Sequence, residues 1–213
     1  MLSCKKKWKK PASVTFSFQM NTNSSSGLVN FTSAYFLLNK FEYAGVREQG
    51  TTHVDFSKDF TPYSQININP TTPSSGIEFD IPQGTYDKIE VKCAIQEQPD
   101  TIPTFIVNGT YIDTSNNPVP VQFIYDASEG FPIIAKNSSG GSQVVFVKDK
   151  SYSAKIIFNP KYWFEAIPKS MLDVAVTTTI GGVQTIIISE DYNSDIYQLV
   201  AGRIGDGNQL IFE

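Results

Sequence analysis

In the stretch Ala12-Ser13-Val14-Thr15-Phe16-Ser17-Phe18-Gln19-Met20 the apolar residues Val14, Phe16, Phe18 and Met20 alternate with Ser13, Thr15, Ser17 and Gln19. Side chains of an extended chain point alternately to its two faces, so a period of two predicts a strand with one face in a core. A loop rich in Asn, Ser and Thr over Asn21 to Gly27 closes it. A second extended region is expected from Leu28 to Arg47, where Tyr35, Leu37, Phe41 and Tyr43 serve one phase and Asn39 interrupts. Its length calls for a bend or bulge near Asn39-Lys40.

Outward from these two segments the same period recurs. Strands are expected at His53–Phe56, Ser64–Ile68, Gly76–Ile81, Tyr86–Ile95, Thr104–Ile112, Val119–Tyr125, Phe131–Lys136, Gln143–Lys148 and Tyr152–Phe158, with a last one at Gln209–Phe212. Turn-rich spacers separate them. In Ile81-Pro82-Gln83-Gly84-Thr85-Tyr86 the proline presets φ and the glycine supplies a positive one, which makes a tight turn. Gly140-Gly141 and Gly181-Gly182 read as hairpin glycines between strands rather than phosphate loops. Two segments break the rhythm. Asn159-Pro160 combines an N-cap with proline at the first helical position, and Trp163, Phe164 and Ile167 follow as anchors, with a further turn over Ser170–Val174. In Asn193–Arg203, Ile196, Leu199, Val200 and Arg203 fall at helical spacing, with Ser194 as the cap. The expected fold is all-β: a Greek-key sandwich of about ten strands, with one or two short helices near the C-terminus. Residues 1–11 form a basic tether and 12–213 one sandwich domain.

Composition narrows the function. A formal charge of −4 over 213 residues argues against nucleic acid, and 40% hydrophobic content supports a sizeable core. One His, two Cys and no long apolar run exclude a histidine-rich metal cage, a disulfide scaffold and a spanning helix. No cofactor is expected. His53 opens a strand with no Gly-x-Ser-x-Gly elbow anywhere, so it reads as a solvent-facing strand residue. Asp191-Tyr192-Asn193-Ser194-Asp195 begins like a calcium loop, but Ile196 stands where Gly is required and Gly202 where a bidentate Glu belongs, so helix capping is the better reading. Cys93 lies on the apolar phase of its strand and reads as an inert buried thiol. Tyr35, Tyr111, Tyr125 and Trp163 are candidates for an exposed aromatic surface that stacks on sugars or meets a protein.

The N-terminus carries the remaining signal. Leu2-Ser3-Cys4 followed by Lys5, Lys6, Lys7, Trp8, Lys9 and Lys10 resembles the end of a bacterial lipoprotein signal peptide. That resemblance implies a diacylglyceryl group on Cys4, with the lysines starting a solvated tether beside the membrane. Only three residues precede Cys4, so the apolar stretch that such a signal needs is expected upstream of Met1. With Cys4 acylated, Cys93 has no disulfide partner.

Together with Ile81-Pro82-Gln83-Gly84-Thr85-Tyr86-Asp87-Lys88-Ile89, Asn159-Pro160-Lys161-Tyr162-Trp163-Phe164 and Asn193-Ser194-Asp195-Ile196-Tyr197, these residues resemble small surface or periplasmic lipoproteins of the Bacteroidetes type. The Pro-x-Gly-x-Tyr pattern before an outgoing strand looks like that of prealbumin-like sandwich modules. The resemblance implies a lipid-anchored binding or structural module of the outer membrane, facing the periplasm or the cell surface. Such a module has no catalytic activity, and its ligand is a glycan or a protein. The competing readings are a fimbrial or assembly subunit that pairs through an edge strand, and a hydrolase whose acids converge only in the fold.

Overall fold

Strand β1 (Pro11–Met20) buries Ala12, Val14, Phe16, Phe18 and Met20, the apolar phase of its alternation. The structure, a computed structural model, describes residues 11–22, 27–48, 53–70, 72, 74, 76–98 and 102–213. β1 lies between β4 (Ile77–Pro82), antiparallel, and β10 (Ser151–Phe158), parallel. Beyond β10 come β13 (Gln209–Phe212) and the last residues of β8 (Glu129–Asn137), which complete the smaller layer.

The larger layer is built on β2 (Val29–Arg47). One edge of β2 carries β3 (His53–Ile68), and the other carries β5 (Gly84–Ile95) and β6 (Phe105–Ile112) end to end. Next to β6 stand β7 (Pro118–Tyr125), β12 (Val183–Ile188) and β11 (Thr177–Ile180). β8 belongs to both layers: Glu129–Ile134 pair with β5, and Ala135–Asn137 pair with β13. Where β8 leaves, β9 (Val144–Phe146) takes its place beside the start of β5. Aromatic rings fill the space between the layers. Phe16 meets Phe41 at 5.0 Å, Phe18 meets Phe36 at 5.3 Å, and Phe158 meets Phe36 at 5.3 Å. Helices α1 (Pro160–Phe164) and α3 (Ser194–Ala201) cover the rest of the inner face, through Phe164 on Phe31 and Tyr197 on Phe123. α2 (Lys169–Asp173) is a single short turn between them.

The all-β sandwich with short helices is therefore what the chain forms, with thirteen strands and three short helices among the described residues. The strand order by itself does not establish a Greek-key connection. The stretches 53–56 and 64–68 are one strand, because both pair with the same partner, β2. Gly181 and Gly182, at φ +56° and +84°, join β11 to β12 as hairpin glycines, the conformation a two-residue turn needs at both positions. Gly84, at φ +146°, starts β5 with only Gln83 between it and the end of β4, and a side chain there would collide with the Arg47 guanidinium at 2.7 Å. Helix α3 departs from expectation at its start. Its N-cap is Asn193 in the left-handed conformation, not Ser194. The Asn193 side chain makes no cap bond, because it is committed elsewhere. It donates to the carbonyls of Val176 (2.9 Å) and Ile187 (2.6 Å) and accepts from the Val176 N–H (2.8 Å). The residue thereby ties the entry of β11 to β12.

Cys93 is fully buried and, among the described residues, is a free thiol. Burial disfavours the thiolate and pushes its pKa up from 9.0 to about 12. A group whose folded pKa is raised favours the fold below its unfolded pKa and loses that contribution as pH climbs towards the folded value. A Cys4→Ser chain is therefore expected to show no reactive thiol at pH 8 when native and one after denaturation. It should also lose stability progressively between pH 9 and 12. Native labelling by a thiol reagent at pH 8 would contradict the burial.

Candidate binding crease

Four breaks in the large sheet lie side by side. In β2, Asn39 is an extra residue: Leu38 pairs with Ile95 and Lys40 with the adjacent Ala94. Opposite it on β3, residues 60–63 stand between the partners of Lys40 and Leu38, Asp59 and Ser64. On the other side the chain leaves the sheet after Ile95, opposite Leu38, and returns at Phe105, opposite Phe36. One strand further, Asp126, Ala127 and Ser128 separate Tyr125, beside Phe105, from Glu129, beside Ile95. The bulge expected near Asn39-Lys40 is thus one part of a crease that crosses the whole layer. Side chains knit it together. Buried Thr104 donates to the carbonyls of Tyr125 (2.8 Å) and Ala127 (3.3 Å), and the Glu97 N–H donates to Ser128 Oγ (3.1 Å).

The crease opens outward as a groove of about 640 Å³ whose lining includes Asn39, Lys40, Asp59, Pro62, Gln96 and Ser128. That volume falls in the range of ligand clefts. Asn39 Nδ2 donates to the Pro62 carbonyl at 2.9 Å, while Asn39 Oδ1 is buried with no hydrogen-bond partner among the described residues. Lys40 is held by Glu42 at 2.7 Å; their bond holds the Lys40 pKa up and the Glu42 pKa down. Charge divides along the crease. On one side, β2 from Lys40 onward, β3 up to Asp59 and β5 carry Lys40, Glu42, Arg47, His53, Asp55, Lys58, Asp59, Asp87, Lys88, Glu90 and Lys92. On the other, residues 29–38 of β2, Ser64–Ile68 of β3 and all of β6, β7, β11 and β12 hold no charged residue.

The outer face of the uncharged half carries two cross-strand rows. Asn67, Tyr35, Ile106 and Ile124 form the first. Ser33, Asn108 and Gln122 form the second, with Gln122 Nε2 donating to Asn108 Oδ1 at 2.9 Å and Asn108 Nδ2 donating to Ser33 Oγ at 3.1 Å. Burial, with the nearby Asp126 charge and Tyr63, raises the Tyr35 pKa, so its phenol stays neutral. The surface presents amides, hydroxyls, half-buried Tyr35 and Tyr63, and aliphatic side chains.

Of the four aromatic residues expected on a surface, the structure brings only Tyr35 to it. Tyr111, Tyr125 and Trp163 are 1%, 7% and 0% exposed, because each points inward from its element. Trp163 packs on Phe105 at 5.8 Å and donates from Nε1 to the Asp206 carbonyl at 2.9 Å. Tyr111 is bonded to Asp173, and Lys169 Nζ donates to both the Tyr111 hydroxyl (2.5 Å) and Asp173 (2.7 Å), which pins α2 to the end of β6. Burial, followed by the Asp173 bond, raises the Tyr111 pKa, so this trio does not supply a tyrosinate base. His53 is exposed at the strand start, facing solvent as expected. Cys4, Trp8 and the lysines of the tether lie outside the described residues. Asn39 is visible in the sequence only as a break in phase; its place in the groove depends on three other breaks that no local pattern connects.

Compared with known protein families, curated proteins and solved structures, the chain matches none of them.

Proposed function

We propose that the chain is a lipid-anchored, non-catalytic binding module of the cell envelope, held at the outer membrane through Cys4, and that a neutral glycan lies along the outer crease. The observation that carries this reading is the buried, unpartnered Asn39 Oδ1 in the lining of an open groove at the border of an uncharged half-sheet. A buried acceptor without a donor costs about 1–3 kcal/mol, which a sugar hydroxyl offsets by donating to it once the Asn39 amide turns towards the groove it lines. Sugars offer many hydroxyls and no charge. Their apolar ring faces suit Pro62 and Ala94 within the groove and half-buried Tyr35 on the adjoining half-sheet. The adjoining strand segments carry no charged residue of their own, so a neutral chain that settles on them strips no ion of theirs of water.

Two measurements test the two halves of the proposal. Mass analysis of the N-terminal peptide from native-host protein is expected to give a Cys4-terminated, diacylglyceryl peptide. A peptide beginning unmodified at Met1 would remove the anchor. Calorimetric titration with neutral oligosaccharides is expected to show saturable binding that weakens about tenfold in Asn39→Ala, the loss of one hydrogen bond of about 1.4 kcal/mol. Equal binding by parent and variant would remove the crease as the site.

A further inference from the structure

Among the described residues, β3, β4, β9 and β11 each have a strand on one side only. An exposed edge is a template for another chain, and proteins guard such edges with charges, prolines, irregular pairing or cover. Three of the four are guarded. β3 carries His53, Asp55, Lys58 and Asp59 and breaks register at 60–63. β4 carries Glu78 and Asp80 and ends on Pro82. β9 is three residues long, and the next N–H along, Val147, already donates to the Tyr152 hydroxyl at 2.9 Å. β11, Thr177-Thr178-Thr179-Ile180, has no charge, no proline and an unbroken register against β12.

We infer that β11 is an interaction edge and that its occupant is a second copy of this chain, paired antiparallel about a two-fold axis. This inference is independent of the crease. Its argument is charge. A two-fold axis sets a strand against itself, so any charged residue near the axis would face its own kind; β11 has none, and its strongly β-forming Thr and Ile residues pair well with themselves. Val176, just before the strand, is 66% exposed, and Ile180 and Val183 are 47% and 51% exposed, so the joined edges also cover apolar surface. Asn193 holds the backbone of Val176 and orders the start of the edge before any partner arrives. Four residues per copy make a short edge, which places the association in the weak, concentration-dependent class.

Sedimentation of the full chain over a range of concentrations tests this. The parent is expected to associate reversibly into dimers. Thr179→Lys, which sets two like charges across the axis, should raise the dissociation constant at least tenfold. Val183→Lys, which removes a neighbouring exposed apolar residue one strand in from the edge, should raise it less than Thr179→Lys does. Circular dichroism and the denaturation midpoint of both variants should match the parent, since both sites are exposed. A parent that stays monomeric throughout would overturn the inference. So would dimers indifferent to Thr179→Lys, or dimers lost to Val183→Lys alone.

Discussion

A Phe158→Ala chain is expected to be about 3–5 kcal/mol less stable than the parent, the cost of a large cavity in a packed core. Phe158 is 1% exposed, and its ring centroid lies 5.3, 5.6, 6.2 and 6.3 Å from those of Phe36, Phe105, Phe131 and Trp163. These partners come from β2, β6, β8 and α1, so one side chain joins both layers to the helical cover. A deletion there leaves rings held by separate backbones that cannot all move in together. Since a domain of this kind has a total stability of about 5–15 kcal/mol, the variant should unfold at much lower urea. The midpoint should fall with the slope unchanged. A shift worth less than about 1 kcal/mol would show that the site collapses and is not the joint described here. Tyr192→Ala, at an exposed position, should move the midpoint little.

Thr104→Val is expected to cost about 1–3 kcal/mol, because it leaves buried carbonyls without their donor while keeping the side-chain shape. Thr104 is fully buried, and its hydroxyl reaches the carbonyls of Tyr125 and Ala127 at 2.8 and 3.3 Å. Those bonds hold the turn at 126–128 against the return of the chain at Phe105, two of the four breaks that form the crease. Stability should therefore fall, and oligosaccharide binding should weaken with it although Thr104 does not line the groove. Thr104→Ser keeps the hydroxyl and should restore both. If Thr104→Val lowered stability but left binding untouched, the groove would owe nothing to this brace.

Much of the fold is legible locally. Alternation in β1 assigns Val14, Phe16, Phe18 and Met20 to a core because the period is a property of the extended backbone itself. Pro82 and Gly84 announce a turn, and Gly181-Gly182 a hairpin, for the same kind of reason: each restricts or permits particular φ values at its own position. Asn159 before Pro160 marks a helix start, and Asn159 Oδ1 does accept from the Tyr162 N–H, at 3.4 Å. The start of α3 misleads because Ser194 and Asn193 are both competent caps. Asn193 takes the N-cap position in the left-handed conformation, and because Val176, 17 residues away, and Ile187, six away, occupy its side chain, the helix starts without a side-chain cap bond from it.

The aromatic residues show the limit most clearly. Tyr35 and Tyr111 are both tyrosines in strands, yet one reaches the outer surface and the other is 1% exposed. Composition cannot separate them, since either face of a strand becomes interior only when another layer covers it. The sequence alone determined that the chain alternates, where it turns, and that charge is absent from whole strands. Only the tertiary structure decided that Asn39, residues 60–63, the excursion after Ile95 and the turn at 126–128 stand in one line. Periodicity is written by neighbours along the chain, whereas register is set by hydrogen bonds between segments tens of residues apart. A groove made of four register breaks exists only after those bonds have formed.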